Sequence, residues 1–126
     1  MTADKAWVGL DTENVREMLI ALVGFRFGKE PETRLHEIRA ERQAYAEGFL
    51  KLAGVKADDT VLELGSGCGF GTRAVAKCAK RVLACDISEA YLSFARQELE
   101  DLDNIEFHHV ESRDLSDIGD DSVNKI

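Results

Sequence analysis

The sequence is short of proline, tryptophan and cysteine, with one, one and three in 126 residues, and it has 16 basic side chains against 24 acidic ones. No stretch approaches the ~18 consecutive apolar residues of a membrane-spanning helix. The opening residues, MTADKAWVGLDTEN, lack the basic and apolar regions of a secretory leader. The cytoplasm is therefore the expected compartment. Cys68, Cys78 and Cys85 show neither CxxC spacing nor a neighbouring histidine pair, which argues against a metal site or a disulfide framework. Cys85, in an apolar run, and Cys78, on a helix, read as small buried thiols. Cys68 lies in a glycine loop, where its backbone rather than its sulfur is the expected contact. The deficit of basic charge leaves a net −8 and a pI near 4.9. Nucleic-acid binders carry a basic footprint, so nucleic acid is not expected as a partner, and a small molecule or a protein is.

What is present is an ordinary globular composition, 44% hydrophobic and 32% charged, long enough to bury one core. Its centre is the run Val61-Leu62-Glu63-Leu64-Gly65-Ser66-Gly67-Cys68-Gly69-Phe70-Gly71-Thr72. An apolar strand runs straight into a turn with glycine at every second position, where backbone can lie against a ligand with no Cβ in the way.

Around this run the hydrophobic period changes. Over residues 12–27, Val15, Met18, Leu19, Leu22 and Val23 fall at helical spacing, with Asp11 or Thr12 as the cap. After Pro31 a stronger helix carries Leu35, Ile38, Arg42, Tyr45, Phe49 and Leu52 along one stripe, capped by Thr33 and closed by Gly54. That stripe reads as a face packed on a core. From residue 60 short strands alternate with helices: strand 61–64, helix 72–80, strand 81–86, a helix capped by Ser88 with Tyr91, Ala95, Leu99 and Leu102 on one face, then strand 105–110. After a polar turn at Asp120-Asp121-Ser122, residues 123–126 read as the start of a fourth strand. This is the β-α-β pattern of an α/β fold with a parallel sheet.

A cofactor with a sugar and a charged tail needs a turn free of side chains, a helix N-terminus, and an acid for the ribose hydroxyls. The glycine turn supplies the first, the helix opening near Thr72 the second, and Asp86, 17 residues after Gly69, the third. A carboxylate can accept from two vicinal hydroxyls at once; an alternative role for Asp86 is local capping before Ser88. The dinucleotide fingerprint GxGxxG fails in both registers, because Phe70 and Thr72 stand where the third glycine belongs, and GxxxxGK[ST] is absent. A nicotinamide dehydrogenase domain is disfavoured on that spacing. What stands instead is Glu63-x-Gly65-x-Gly67-x-Gly69. A carboxylate beside the loop repels a pyrophosphate but favours an ammonium or sulfonium, unless Glu63 is only a capping acid at the strand end.

With that acid-x-Gly-x-Gly-x-Gly pattern, residues 55–126 resemble the class I S-adenosylmethionine-dependent methyltransferases. The resemblance implies a Rossmann-like three-layer fold with partial strand order 3-2-1-4, residues 1–54 forming a helical cover. It implies S-adenosylmethionine as cofactor, S-adenosylhomocysteine as product, and contacts from Glu63, Gly65, Ser66, Gly67, Cys68, Gly69, Asp86 and Ile87. The family's Gly-Asp-Ala adenine segment is matched loosely by Val110-Glu111-Ser112, with Asp114 competing for the acid's role. Its Asp-Ser-Phe-Asp entry to strand four is matched by Asp121-Ser122-Val123-Asn124, an asparagine replacing the last acid. Trp7, Phe25 and Phe27 read as core, with a lid over the site as the alternative. His108 and His109 alternate, one toward solvent and one toward the sheet.

In methyl transfer the protein's main task is to align an acceptor and exclude water, and the family places an acceptor base after strand four or later. The expectation is thus the cofactor-binding half of a methyltransferase acting on a small-molecule or protein acceptor, inactive alone, with homodimerisation through the strand-four edge or the N-terminal helices. The alternative is a non-catalytic or structural S-adenosylmethionine-binding module.

Overall fold

In the computed structural model, residues 15–17, 31–110, 114–116, 118, 119, 122–124 and 126 are described. Three short strands, β1 (Thr60–Leu64), β2 (Arg81–Asp86) and β3 (Ile105–His109), form a parallel sheet in the order β1-β2-β3. Parallel neighbours need a crossover between them. Helices α2 (Phe70–Cys78) and α3 (Glu89–Glu98) supply it, preceded by the long α1 (Pro31–Ala53). Residues 82–86 of the central strand β2 are all buried, so its run is continuously apolar up to Asp86 instead of alternating.

Sequence chemistry explains the element ends. Pro31 opens α1, because its fixed φ suits the first helical position and its missing N–H is not needed there. Thr33, expected as the cap, lies inside the first turn instead. Gly54 closes α1 with φ 66°, and Gly54 N–H and Val55 N–H donate back to Lys51 O and Leu50 O, the Schellman pattern. Ser88 caps α3 as expected, its Oγ accepting from Tyr91 N–H at 3.2 Å.

Register assigns the two faces of the sheet. Val61, Val82 and Ile105 share one face, with Glu63, Ala84 and Phe107 next along it. Val75 and Ala76 of α2, with Ala79 just past its end, pack on Val61 and Val82, and Arg96 of α3 stands 5.5 Å over the Phe107 ring, so both crossovers cover this face. Leu62, Leu83, Cys85 and Val110 form the other face, against Leu115, Ile118 and Val123. No helix lies on that second face among the described residues. A further cluster joins Val15 and Leu35 to Phe70, Ala90 and Phe94, with Cys68 packed against it; the Phe70 and Phe94 rings meet edge to face at 6.3 Å. It seats the N-terminal helical residues over the glycine loop. Arg39 of α1 reinforces this with a two-pronged bond to Glu98 of α3, at 2.8 and 2.6 Å.

Three expectations need correction. The stripe of α1 is buried only near its start: Leu35 is buried, but Tyr45 is 66% and Leu52 87% exposed. Tyr45 and Phe49 pair at 5.1 Å and wall an open apolar cleft of about 610 Å3 with Leu50, Val61, Val75 and Ile126. Cys78 is exposed, because α2 buries Thr72, Val75 and Ala76 and turns Cys78 outward with Lys77. The described residues within 123–126 form no strand. Instead Asn124 clips Thr60: its N–H donates to Thr60 O, and Thr60 N–H donates to its Oδ1, both at 2.8 Å. Met18, Leu19, Leu22, Val23, Trp7, Phe25 and Phe27 lie outside the described residues, and residues 15–17 are helical as expected.

Candidate cofactor site

The carboxyl ends of β1 and β2 lie level, Leu64 opposite Cys85, so the glycine loop after β1 and the turn after β2 meet. Gly65 and Ser66 N–H both donate to Cys85 O, at 2.8 and 3.0 Å. Gly65, Gly67 and Gly69 have φ of 73°, 57° and 87°, values that L-residues with a Cβ avoid. Their surroundings differ. A Cβ on Gly65 or Gly67 would enter open space, whereas one on Gly69 would stand 2.9 Å from Leu99 Cδ1 and 3.0 Å from Ala95 Cβ. The first two glycines leave room beside the loop; the third lets α2 start against α3.

Asp86 joins the two segments. Its Oδ2 accepts from Gly67 N–H and its Oδ1 from Ser88 N–H, each at 2.8 Å, and the residue is 8% exposed. Both local bonding and a ligand role are open to it, because each carboxylate oxygen keeps a second lone-pair site. The Ser66 hydroxyl is buried and has no hydrogen-bond partner among the described residues, a state polar groups rarely keep. Beside them lies a cleft of about 330 Å3 walled by Leu64, Gly65, Asp86, Ile87, Val110 and Leu115, with Ile87 exposed into solvent. An orphan hydroxyl, two glycines facing open space, an acid at the strand end and an apolar wall fit a nucleoside with an amino-acid tail.

Glu63 points from β1 under the first turn of α2, where the Thr72 hydroxyl donates to its Oε1. Burial holds its carboxyl above the usual range; the Thr72 bond works against that rise, and the Asp86 charge adds to it. The Cys68 thiol is pushed up to about 11 by burial and by the Asp86 and Glu98 charges, so it stays protonated at neutral pH and offers backbone rather than thiolate chemistry.

Glu111 and Ser112 lie outside the described residues. Asp114, their rival, is exposed and accepts from Ser116 N–H at 3.0 Å, which lowers its pKa. Two contributors escaped the sequence reading. The sequence marks Thr72 only as the opening of a helix. His109, which ends β3 opposite Asp86, lies 2.7 Å through Nε2 from Ile87 O and braces the turn after β2. His108 faces Glu106 at 3.4 Å. Pairing across strands, rather than any local pattern, creates the His109 contact.

A family model described as a methyltransferase domain matches residues 61–126. Ribosomal RNA small subunit methyltransferase A of Thermotoga neapolitana is 26% identical over 98 residues, 78% of this chain and 38% of that protein. The structure of the 23S rRNA methyltransferase ErmE matches at 28% identity and a TM-score of 0.51, covering 55% of this chain and 28% of the other. Coclaurine N-methyltransferase, solved with N-methylheliamine and S-adenosylhomocysteine, matches at 27% identity and a TM-score of 0.51, over 56% and 22%. The chain thus spans less than two fifths of the length of these relatives. The expectation against nucleic acid as a partner fails, since relatives sharing this segment include ribosomal RNA methyltransferases. A net charge summed over one segment does not exclude such a partner, because recognition depends on where charges lie rather than on their sum. No described helix is long and apolar enough to cross a membrane. With its loop, acid and parallel strands inside a match that covers more than half of its residues, the chain belongs to the class I, Rossmann-like S-adenosylmethionine-dependent methyltransferase family.

Proposed function

We propose that this chain binds S-adenosylmethionine and provides the donor side of methyl transfer to RNA. The observation that carries the donor reading is Asp86, a buried acid held between the glycine loop and the turn after β2. In this reading Asp86 takes the ribose hydroxyls and Ile87 lies along the base. Gly65, Ser66 and Gly67 line the rest of the ligand, Ser66 offering the hydroxyl that lacks a partner among the described residues. Cys68 contributes backbone, Gly69 shapes the loop, and Glu63 faces the positive charge. Glu111 and Ser112 are assigned to the adenine by resemblance. The bound cofactor supplies a methyl group on a sulfonium, already a good leaving group, so the protein's work is orientation and exclusion of water.

The RNA part of the reading rests on the ribosomal RNA methyltransferases among the relatives. Calorimetry tests the donor site: S-adenosylmethionine and S-adenosylhomocysteine should both bind, and Asp86→Ala should weaken both by at least about tenfold through lost charge-assisted hydrogen bonds. Failure of the unaltered protein to bind either ligand would overturn the assignment. Tritiated methyl transfer by the native-length protein tests the acceptor. Label on a small amine with none on RNA would overturn the RNA reading and favour the chemistry of coclaurine N-methyltransferase. Binding without transfer to any acceptor would leave a non-catalytic module.

A further inference from the structure

Thr72 is 0% exposed, in the first turn of α2, and its hydroxyl leaves its own helix. A threonine inside a helix commonly turns its hydroxyl back to a carbonyl one turn earlier. Here Thr72 Oγ1 donates across to Glu63 Oε1 on β1. The other oxygen, Oε2, lies 3.8 Å from where a Cβ on Gly71 would stand, over the same turn.

Burial, the Thr72 hydroxyl and the Asp86 charge are what move the Glu63 carboxyl. Asp86 on β2 acts on it as a like charge, and its neighbour Cys85 has a thiol raised by burial and by Glu63 itself. From α1, Tyr45 lines the same apolar cleft as Glu63. On α2, Thr72 is the donor that reaches it. A hydrogen bond to a carboxylate favours its charged form, and burial without one favours the neutral acid. The hydroxyl also uses one oxygen and so fixes which lone pairs of the carboxylate remain.

We infer that Thr72 is a positioning residue that keeps Glu63 an oriented carboxylate for the ammonium end of the cofactor, and so sets affinity for the amino-acid tail without affecting the nucleoside. The inference rests on the S-adenosylmethionine reading and assigns the tail a recognition device separate from Asp86. Direction in pH follows from the chemistry. Tail affinity is present above the pKa of Glu63 and falls as pH drops through it; without the Thr72 bond that pKa rises, so the fall begins at higher pH.

The test is calorimetry on the full chain between about pH 5 and pH 9, with S-adenosylmethionine, S-adenosylhomocysteine and 5′-methylthioadenosine, which lacks the amino-acid tail. Thr72→Val should weaken the first two about tenfold at neutral pH, leave methylthioadenosine within about twofold, and move the pH midpoint upward. Thr72→Ser should restore all three behaviours. Equal weakening of every ligand would reduce Thr72 to packing and overturn the inference, as would unchanged binding of S-adenosylhomocysteine. Should Thr72→Val not fold, Glu63→Gln carries the test: the same tail-selective loss is expected with the acid-side fall gone, and a retained acid-side fall overturns the inference. If the unaltered protein binds methylthioadenosine but neither tailed ligand, the cofactor reading itself fails, an outcome distinct from any difference among variants.

Discussion

At residue scale the three loop glycines look alike in sequence but do different work. Gly69→Ala would force a Cβ against Leu99 and Ala95 at a φ of 87°, so overpacking and left-handed strain together should cost about 2–4 kcal/mol in denaturant unfolding. Gly67→Ala meets only open space and should cost about 1 kcal/mol, with its larger effect on ligand affinity. Equal destabilisation by both would contradict the split. Glu63 gives a second prediction, with its sign set by linkage. Its folded pKa lies above the ordinary value of 4.5, so its stabilising contribution is complete below that value and lost as pH rises through the folded one. Glu63→Gln should therefore raise the melting temperature of the ligand-free protein at neutral pH, with the gain vanishing below about pH 4.5. A lower melting temperature at pH 7 would refute this. The spacing of Glu63, the glycines and Asp86 was legible because each stands at the end of an apolar strand or in the turn that follows it, positions that local pattern marks. The Thr72 bond was not, since it depends on which face of β1 lies under α2.

At the scale of elements, β2 was readable to the residue because a strand buried on both faces writes itself as an unbroken apolar run. Ser88 and Gly54 were readable because caps are local chemistry. The stripe of α1 shows where that legibility stops. Helical spacing identifies a face but not what covers it, and beyond Ile38 the stripe opens onto the apolar cleft beside β1. The contrast is measurable by chemical denaturation. Leu92→Ala, at a position of α3 with 0% exposure, should cost about 2–5 kcal/mol. Leu52→Ser, on the exposed end of α1, should stay within about 0.5 kcal/mol. A large loss at Leu52 would mean that this end of the stripe is covered. Residues 123–126 teach the same lesson: read as the start of a strand after a polar turn, they supply instead a clip between Asn124 and Thr60.

At the scale of the whole molecule, the site draws on segments brought together from β1, α2, β2 and β3. A ligand that bridges them stabilises the folded state by mass action. S-adenosylhomocysteine at about 100 times its Kd should add about 2.7 kcal/mol to unfolding, read as a rise in melting temperature. Composition spoke reliably about class and poorly about partner, because acidity belongs to the sum of residues and recognition to their placement. The arrangement of the three cysteines has a practical side. Cys85 is sealed inside the sheet, Cys68 is half-covered with a thiol near 11, and Cys78 stands exposed at the far end of α2. A thiol-directed dye at neutral pH will therefore find one address, on the same helix that begins at the glycine loop. The chain comes with its own single attachment point for a fluorescent reporter of loop occupancy, and no cysteine has to be added or removed to use it.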